Sequence, residues 1–413
     1  MLTGDIGAEG LWLNDAGHRD FLICDARRAL DLFDASPREG GGFHVLELDG
    51  RPQPGRLQEI HTTTRLVHSY GLAALAGRPD RAGIMDQGMD YLWSHHRDAQ
   101  HGGYLWGLDG DAPVDRPKLA YGHVFVLLAA STAKMAGHPD ADRLLADITE
   151  VIDRHYWDAD AGLLRDEFTR DWQVFSGYRG MNANMHGVEA LLAAHEATGD
   201  GEYLHRAGRI LQFFIGGQAA AHVWRIPEHY HQDWTPDTAY AGDPMFRPAG
   251  TTPGHSFEMA RLLLQWWDAA GRPAGDAVAQ ARALVDTALA DAWDGERGGL
   301  AYTLKMDGGV DIADRYWWPV TEAIGALAAL QKADPTPEAE GWYRSLWQFA
   351  ADRFIDHEHG GWFPEIGPDD RPTVTQFAGK PDIYHALQAD LLPLAGGLSA
   401  QATELSRTRP LAV

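Results

Sequence analysis

In the stretch GTTPGHSFEMARLL, His255 and Glu258 stand three residues apart and share one face of a helix. A carboxylate beside an imidazole fixes the ring and raises its basicity, as a general acid or base requires. Such a pair alone is more often structural than catalytic. The stretch PDIYHALQADLLP adds His385, with Asp382 one turn before it. YRGMNANMHGVEALL adds Asn182 and His186 one turn apart. Three more pairs stand at comparable places: His61 with Arg65, Tyr121 with His123, and Trp318 with Glu322. Each cluster opens an apolar segment. Equivalent positions of this kind predict a ring of proton-moving and polar side chains around one pocket.

Two other chemistries compete for the same residues. The close pairs His229 with His231 and His357 with His359 lack the ligand set of a zinc signature, so no catalytic metal is expected. Glycoside hydrolysis needs two carboxylates across the scissile bond, and Glu258 with Glu322 could supply them. The surplus of histidine favours proton transfer next to a carbonyl instead. Trp318, in DRYWWPVTEA, serves either as an apolar plate for a sugar ring or as core, with Trp317 as the other packing candidate.

The elements that position these residues repeat. Glycine-marked stretches start at His101, Ala161, Arg297 and His359, with weaker ones at Gly42 and Ala221, and all read as strand, turn and strand. They recur roughly every 60–75 residues, the spacing of one supersecondary unit per repeat. Between them the apolar pattern is helical. Helices are predicted at 15–33, 62–76, 80–97, 119–136, 139–156, 183–198, 201–216, 255–270, 275–292, 318–332, 337–355 and 382–395. The helix after each hairpin is rich in Ala and Leu and suits an inner ring. The helix before it carries charge on one face and suits an outer ring. The expected fold is all-α: an (α/α)6 barrel of twelve helices, with the hairpins at one mouth and residues 1–413 in one domain. Repeat four departs from the pattern. Its loop 227–254, with Trp234, Tyr240, Phe246 and several prolines, is expected to be a lid over the pocket.

Composition narrows the partners. A formal charge of −24 leaves no basic stripe for phosphates, so nucleic acid is excluded. Arg65 and Arg247 can still make the pocket locally cationic. No run of 18 apolar residues predicts a membrane span. The single cysteine, Cys24, permits no intrachain disulfide. The segment MLTGDIGAEGLWLND has no apolar core of a secretory signal, and a cytoplasmic location is expected. The tail SRTRPLAV reads as frayed. Monomer and homo-oligomer are both left open.

Taken together, TTTRLVHSY, YRGMNANMH, RPAGTTPGHSFEMARL, DRYWWPVTEA and GKPDIYH resemble the N-acylglucosamine 2-epimerase superfamily, and within it the aldose–ketose isomerase branch. The match spans about residues 15–395. The resemblance implies an (α/α)6 barrel, no metal or nucleotide cofactor, and proton transfer through a cis-enediol. It implies acid/base roles for His255 and His385, with Glu258 and His186 in the catalytic group. It places Arg65, Asn182, Arg247, Trp318 and Glu322 on the sugar, and we add His61, Tyr121 and Asp382 from the ring of clusters. His61 and Pro364 depart from the sulfosugar isomerases, which makes a neutral hexose the better expectation. The implied reaction interconverts D-mannose and D-fructose, with D-lyxose and D-xylulose as a minor pair. A sugar 2-epimerase of the mannose/glucose or cellobiose type is the alternative.

Overall fold

The computed structural model describes residues 10–413 except Arg56, Asp111, Asp115 and Ala241. The N-terminal segment read above for a secretory signal lies outside the described residues as far as Glu9. In chain order the helices are α1 (Ala16–Phe33), α2 (Ile60–Leu75), α3 (Ala82–Tyr91), α4 (Ala120–Met135), α5 (Ala141–Val151), α6 (Met181–Thr198) and α7 (Gly201–Leu211). There follow α8 (Pro253–Ala269), α9 (Ala277–Ala292), α10 (Trp317–Ala333), α11 (Pro337–Arg353), α12 (Tyr384–Leu394) and α13 (Gln401–Thr408). Three outer helices, α3, α5 and α7, run on into π-helical turns at Leu92–His96, Ile152–Tyr156 and Gln212–Ala219. Among the described residues no helix is long and apolar enough to cross a membrane.

Helices α2, α4, α6, α8, α10 and α12 pack each on the next, and α12 packs back on α2. That closed circle is the inner ring. Each inner helix carries one outer helix, and α1 from the start of the chain packs on α12. The barrel is therefore the (α/α)6 fold expected from the repeat. Composition explains the division. In α10 every residue from Trp317 to Gln331 is buried, which small and apolar side chains tolerate on all sides. The outer α5 instead buries Ala141, Leu144, Leu145 and Ile148, a single apolar stripe.

The strands do more than form local hairpins. The two or three residues leading into each inner helix pair antiparallel with the hairpin of the following repeat. Gln58 pairs with Leu108, Lys118 with Phe168, Arg179 with Tyr230, and Arg315 with Ile366. Isolated bridges Thr251–Leu304 and Leu46–Lys380 complete the set. The last of these joins the two ends of the repeat array. Gly379 permits it: a Cβ there would lie 2.1 Å from the Leu46 carbonyl oxygen. Lys380 adds an ammonium that donates to Asp356 (2.7 Å) and to the Gly360 carbonyl (2.6 Å).

The C-terminal tail is ordered, contrary to its frayed reading. It forms α13 and then docks: the Leu411 amide donates to the Ala76 carbonyl at 2.7 Å, and Leu405 and Leu411 are fully buried. Apolar Leu405 and Leu411 outweigh the basic residues between them, whose heads stay in solvent.

Two acids lie inside the α1–α12 contact. Asp390 is fully buried and neither of its carboxyl oxygens has a partner. Burial, with Asp25 and Cys24 adding to it, pushes its carboxyl well above the usual range. Burial also raises Asp25 to about 6, although it accepts a 2.8 Å bond from the Trp362 indole. A carboxyl with a raised pKa binds more protons in the fold than in the unfolded chain. Its stabilising share is complete below the unfolded value of roughly 4 and is lost as pH rises through the folded value. Thermal stability should therefore fall from pH 4 to pH 6 through Asp25, and further at higher pH through Asp390. Asp390→Asn, which cannot ionise, should gain about 1–3 kcal/mol at pH 8 and nothing at pH 4. Thermal melts across that range check it; equal gains at both ends would mean that ionisation of Asp390 is not the cause.

Candidate functional site

The lead-in pairings set all inner helices to start at one level, and the site residues follow from that. The second residue of successive inner helices is His61, Tyr121, Asn182, Gly254, Trp318 and His385. The sixth is Arg65, Phe125, His186, Glu258, Glu322 and Ala389. These two tiers face the barrel mouth and the layer beneath it. Gly254 breaks the upper tier for a steric reason. A Cβ on it would come within 2.2 Å of the Trp318 indole, so glycine lets that ring lie against the start of α8. The next residue, His255, takes the place in the tier.

Both predicted acid/base histidines are held by carboxylates. His255 Nδ1 lies 3.0 Å from each oxygen of Glu228. His385 Nδ1 donates to Glu322 Oε1 at 2.9 Å. A carboxylate accepts only, so each Nδ1 carries the proton and each Nε2 is left free as a base. The indole of Trp318 lies between them, with ring centroids 5.2 Å from His255 and 5.9 Å from His385. The pairing differs from that read off the helix spacing. Glu258 does not orient His255, because its carboxyl turns inward to His186 and Arg261. Glu228 orients His255 and also accepts the Thr252 amide at 3.1 Å. It sits in the hairpin of repeat four, where helical periodicity gives no signal.

Beneath the histidines lies a buried ionic layer. Arg261 donates to Glu322 Oε2 at 3.0 Å and reaches Glu258 Oε1 at 3.4 Å. Glu189 accepts from the Tyr384 hydroxyl and from Gln388 Nε2 at 3.0 Å. Arg65 donates to Asp382 Oδ2 at 2.9 Å and to the Tyr121 hydroxyl at 2.8 Å, between the rings of Phe125 and Tyr384. Burial works against the ionised forms of Asp382 and Glu322. Arg65 and His385 overcome it for Asp382, Arg261 and His385 for Glu322, and both acids end below their usual range. Burial lowers His186 to about 4, so its imidazole is neutral. Removing one partner of such a buried pair costs about 3–5 kcal/mol, because the other charge is stranded.

Other predicted residues lie less directly on the site. Asn182 has a buried, unpartnered Oδ1. His61 stacks on Trp106 with centroids 5.3 Å apart. Arg247, on loop 227–254, is pinned by Glu167 at 2.9 Å and lies over the Tyr178 ring at 4.0 Å. Sequence reading missed Glu228, Glu189, Arg261 and Tyr384. Arg261 had a signal: it follows Glu258 by three residues, as Glu258 follows His255. A potential ligand set was also missed. His186, Glu189 and Glu258 bring ligand atoms within 4.8 Å of one another, from two helices and not from the short histidine pairs.

A closed barrel mouth with two carboxylate-held imidazoles suits proton transfer on a small polar molecule, and the relatives agree. The profile described as N-acylglucosamine 2-epimerase (GlcNAc 2-epimerase) matches residues 41–389, and the chain belongs to that family. More particularly, it is 40% identical to a D-mannose isomerase of Thermobifida fusca, over 93% of this chain and 96% of that protein. It is 38% identical to a D-mannose isomerase of Pseudomonas cannabina pv. alisalensis, over 93% of this chain and 94% of that protein. A crystal structure of a D-mannose isomerase superposes with a TM-score of 0.85 at 31% identity, covering 91% of this chain and 97% of that one.

The Glu228 contact gives a direct test. Glu228→Gln keeps the shape and removes the charge that favours Nδ1–H on His255. We expect kcat to fall by about 10²-fold with KM little changed. Steady-state kinetics on D-mannose decide it; an unaltered kcat would show that His255 works without this carboxylate.

Proposed function

We propose that the protein is an aldose–ketose isomerase that interconverts D-mannose and D-fructose, with no part assigned to a cofactor. The observation that carries this reading is the pair of imidazoles, His255 and His385, each with Nδ1 committed to a carboxylate and both against Trp318. The relatives named D-mannose isomerase supply the substrate class. The whole chain works as one barrel in this proposal.

The sugar sits on the indole of Trp318, in the mouth lined by the first turns of the inner helices. One histidine helps the hemiacetal open to the free aldehyde. His385 Nε2 then removes the proton from C2. The C–H electron pair becomes the C1–C2 double bond, and charge develops on the carbonyl oxygen. Arg65 and the Tyr121 hydroxyl are donors near that oxygen, where stabilisation lowers the barrier most. The proton returns from His385 to C1, which gives the ketose. His255, with Glu228 behind it, moves the proton between the two sugar oxygens. His186, Asn182 and Asp382 complete the polar wall.

Loop 227–254 is proposed as the cover of this mouth. Its base is anchored: Trp234 is buried, and His229 donates from Nε2 to the Pro248 carbonyl at 2.6 Å and accepts at Nδ1 from the Tyr178 hydroxyl at 2.9 Å. Its outer part carries exposed Phe246 beside Arg247. Limited proteolysis should cut this loop more slowly in saturating D-mannose than without sugar. Equal cutting rates would remove the cover from the proposal.

The chemistry is tested with pure D-mannose in heavy water, followed by NMR. D-fructose should form first and carry deuterium at C1, because an imidazole proton exchanges with solvent. D-glucose formed ahead of fructose, with deuterium at C2, would instead make the protein a 2-epimerase. His255→Ala and His385→Ala should each lose about 10²–10⁴-fold in turnover while remaining folded. Either variant retaining half the parental rate would remove that histidine from the mechanism.

A further inference from the structure

We propose that the end of the barrel opposite the mouth holds a second binding site, for a small neutral polyol, behind the buried ionic layer. The inference goes beyond the isomerase reading and does not rest on it.

A cavity of about 410 Å³ lies between the later turns of α2, α4, α6 and α8 and the segment Ser399–Thr403. Pockets of about 300–1,000 Å³ take small organic ligands. Arg261 and Glu189, members of the ionic layer, form its inner wall, and exposed Gly199 and Ala400 lie at its outer edge. The cavity is distinct from the mouth. Tyr121 is the second residue of α4, whereas Thr132 in the cavity wall is the thirteenth. Eleven residues of helix separate the two levels by about 16 Å. The cover over the cavity is fixed. Lys332 Nζ donates to the carbonyls of Leu392, Ala395 and Gly397 at 2.6, 2.7 and 2.9 Å. The Ser399 hydroxyl donates to Asp268 at 2.6 Å. Ala400, at a left-handed φ of 54°, then turns the chain into α13, which fully buried Leu405 holds down.

Two residues of the lining each carry a buried polar atom without a partner: His68 Nε2 and Gln401 Nε2. Such atoms are normally satisfied. The His68 ring is buried, and its Nδ1 lies 2.7 Å from the Thr132 hydroxyl. That hydroxyl gives its proton to the Leu128 carbonyl at 3.1 Å, so Nδ1 donates and Nε2 is left as an acceptor. The Gln401 amide nitrogen is a donor. Arg261 Nη1 is a second donor, with one long bond, 3.3 Å, to Gln265 Oε1. An acceptor and two donors around one space match hydroxyl groups, each of which both gives and takes a hydrogen bond. Charge argues against an ionic ligand. The lining sets one guanidinium, Arg261, against two carboxylates, Glu189 and Glu196, so an anion is not favoured. Both carboxylates already have donors, Glu189 from Tyr384 and Gln388 and Glu196 from the Thr403 amide, so a cation has no vacant oxygen pair to fill. Leu72, Leu128 and Leu192 supply apolar wall for the C–H faces of a carbon chain.

The experiment titrates the full chain, labelled with carbon-13 at the methionine methyls, with D-sorbitol, a hexitol that has no carbonyl. Met135 lines the cavity, and Met245 lies in loop 227–254. The Met135 methyl should shift saturably. Ala193→Leu, which fills the cavity from α6, should abolish that shift and leave any response of Met245 in place. Gln401→Ala changes only the half-buried first residue of α13. It should keep the parental circular dichroism and weaken binding about 3–10-fold, the worth of one hydrogen bond, which keeps the test decisive if Ala193→Leu does not fold. No saturable shift of Met135 overturns the proposal, as does a shift whose affinity Gln401→Ala leaves unaltered. A saturable shift with inorganic phosphate and none with D-sorbitol overturns it as well. None of these readouts involves turnover, so failure to form D-fructose would strike the isomerase reading alone.

Discussion

The site depends on one repeated hydrogen-bonding constraint: the residues ahead of each inner helix are paired to the hairpin of the next repeat. The pairings, from Gln58–Leu108 round to Leu46–Lys380, leave no inner helix free to slide along the barrel axis. A helix advances 1.5 Å per residue, so a slip of one residue would turn its second and sixth side chains away from the axis. Trp318 and His385 meet because their helices begin at the same level. The pairings also link the mouth to ring closure. Lys380, two residues before Asp382, is fixed by Leu46 and Asp356. The N-terminal hairpin thus places the last site helix.

A second constraint is charge. Below the mouth, Glu189, Glu258, Glu322 and Asp382 share Arg65 and Arg261, all of them buried. Coulomb attraction is strong there, but so is the penalty for any charge left over. The layer resolves this by unequal partnering. Asp382 and Glu322 each gain a guanidinium and stay ionised, while Glu258 receives only a distant one. The ionised pair members then set the chemistry above them: Glu322 fixes the proton of His385, and Asp382 fixes the position of Arg65.

Much of this was legible in the sequence because the repeat is written in it. Glycine-marked hairpins and two kinds of helix, one small and apolar, one amphipathic, led to the barrel. Polar residues at the start of apolar segments led to His61, Arg65, His186, His385 and the rest of the ring. Partners across the ring were not legible. Spacing joined His255 to Glu258, which share a helix, but the side chain of Glu258 points to the axis while His255 leans to the rim. Its real partner, Glu228, is in an irregular hairpin 27 residues earlier, and only the fold brings it near. Likewise the frayed reading of SRTRPLAV missed that Leu411 is buried in the fold.

The two imidazoles have unlike supports, and the difference bears on which reaction such a mouth performs best. His385 rests on Glu322, which is tied through Arg261 to the rest of the buried layer. His255 rests on Glu228, whose other bond is to the backbone amide of Thr252. A 2-epimerase must place two interchangeable bases across C2, each able to give the proton back to the same carbon. An isomerase needs only one base for carbon and a separate group for oxygen, on a planar enediol whose C1 and C2 share a face. Unequal anchoring suits the proposed division, in which the base on the ionic layer meets carbon, where position is critical, and the histidine on the hairpin meets oxygen. Trp318, lying between the two rings, presents the flat surface that a planar intermediate needs.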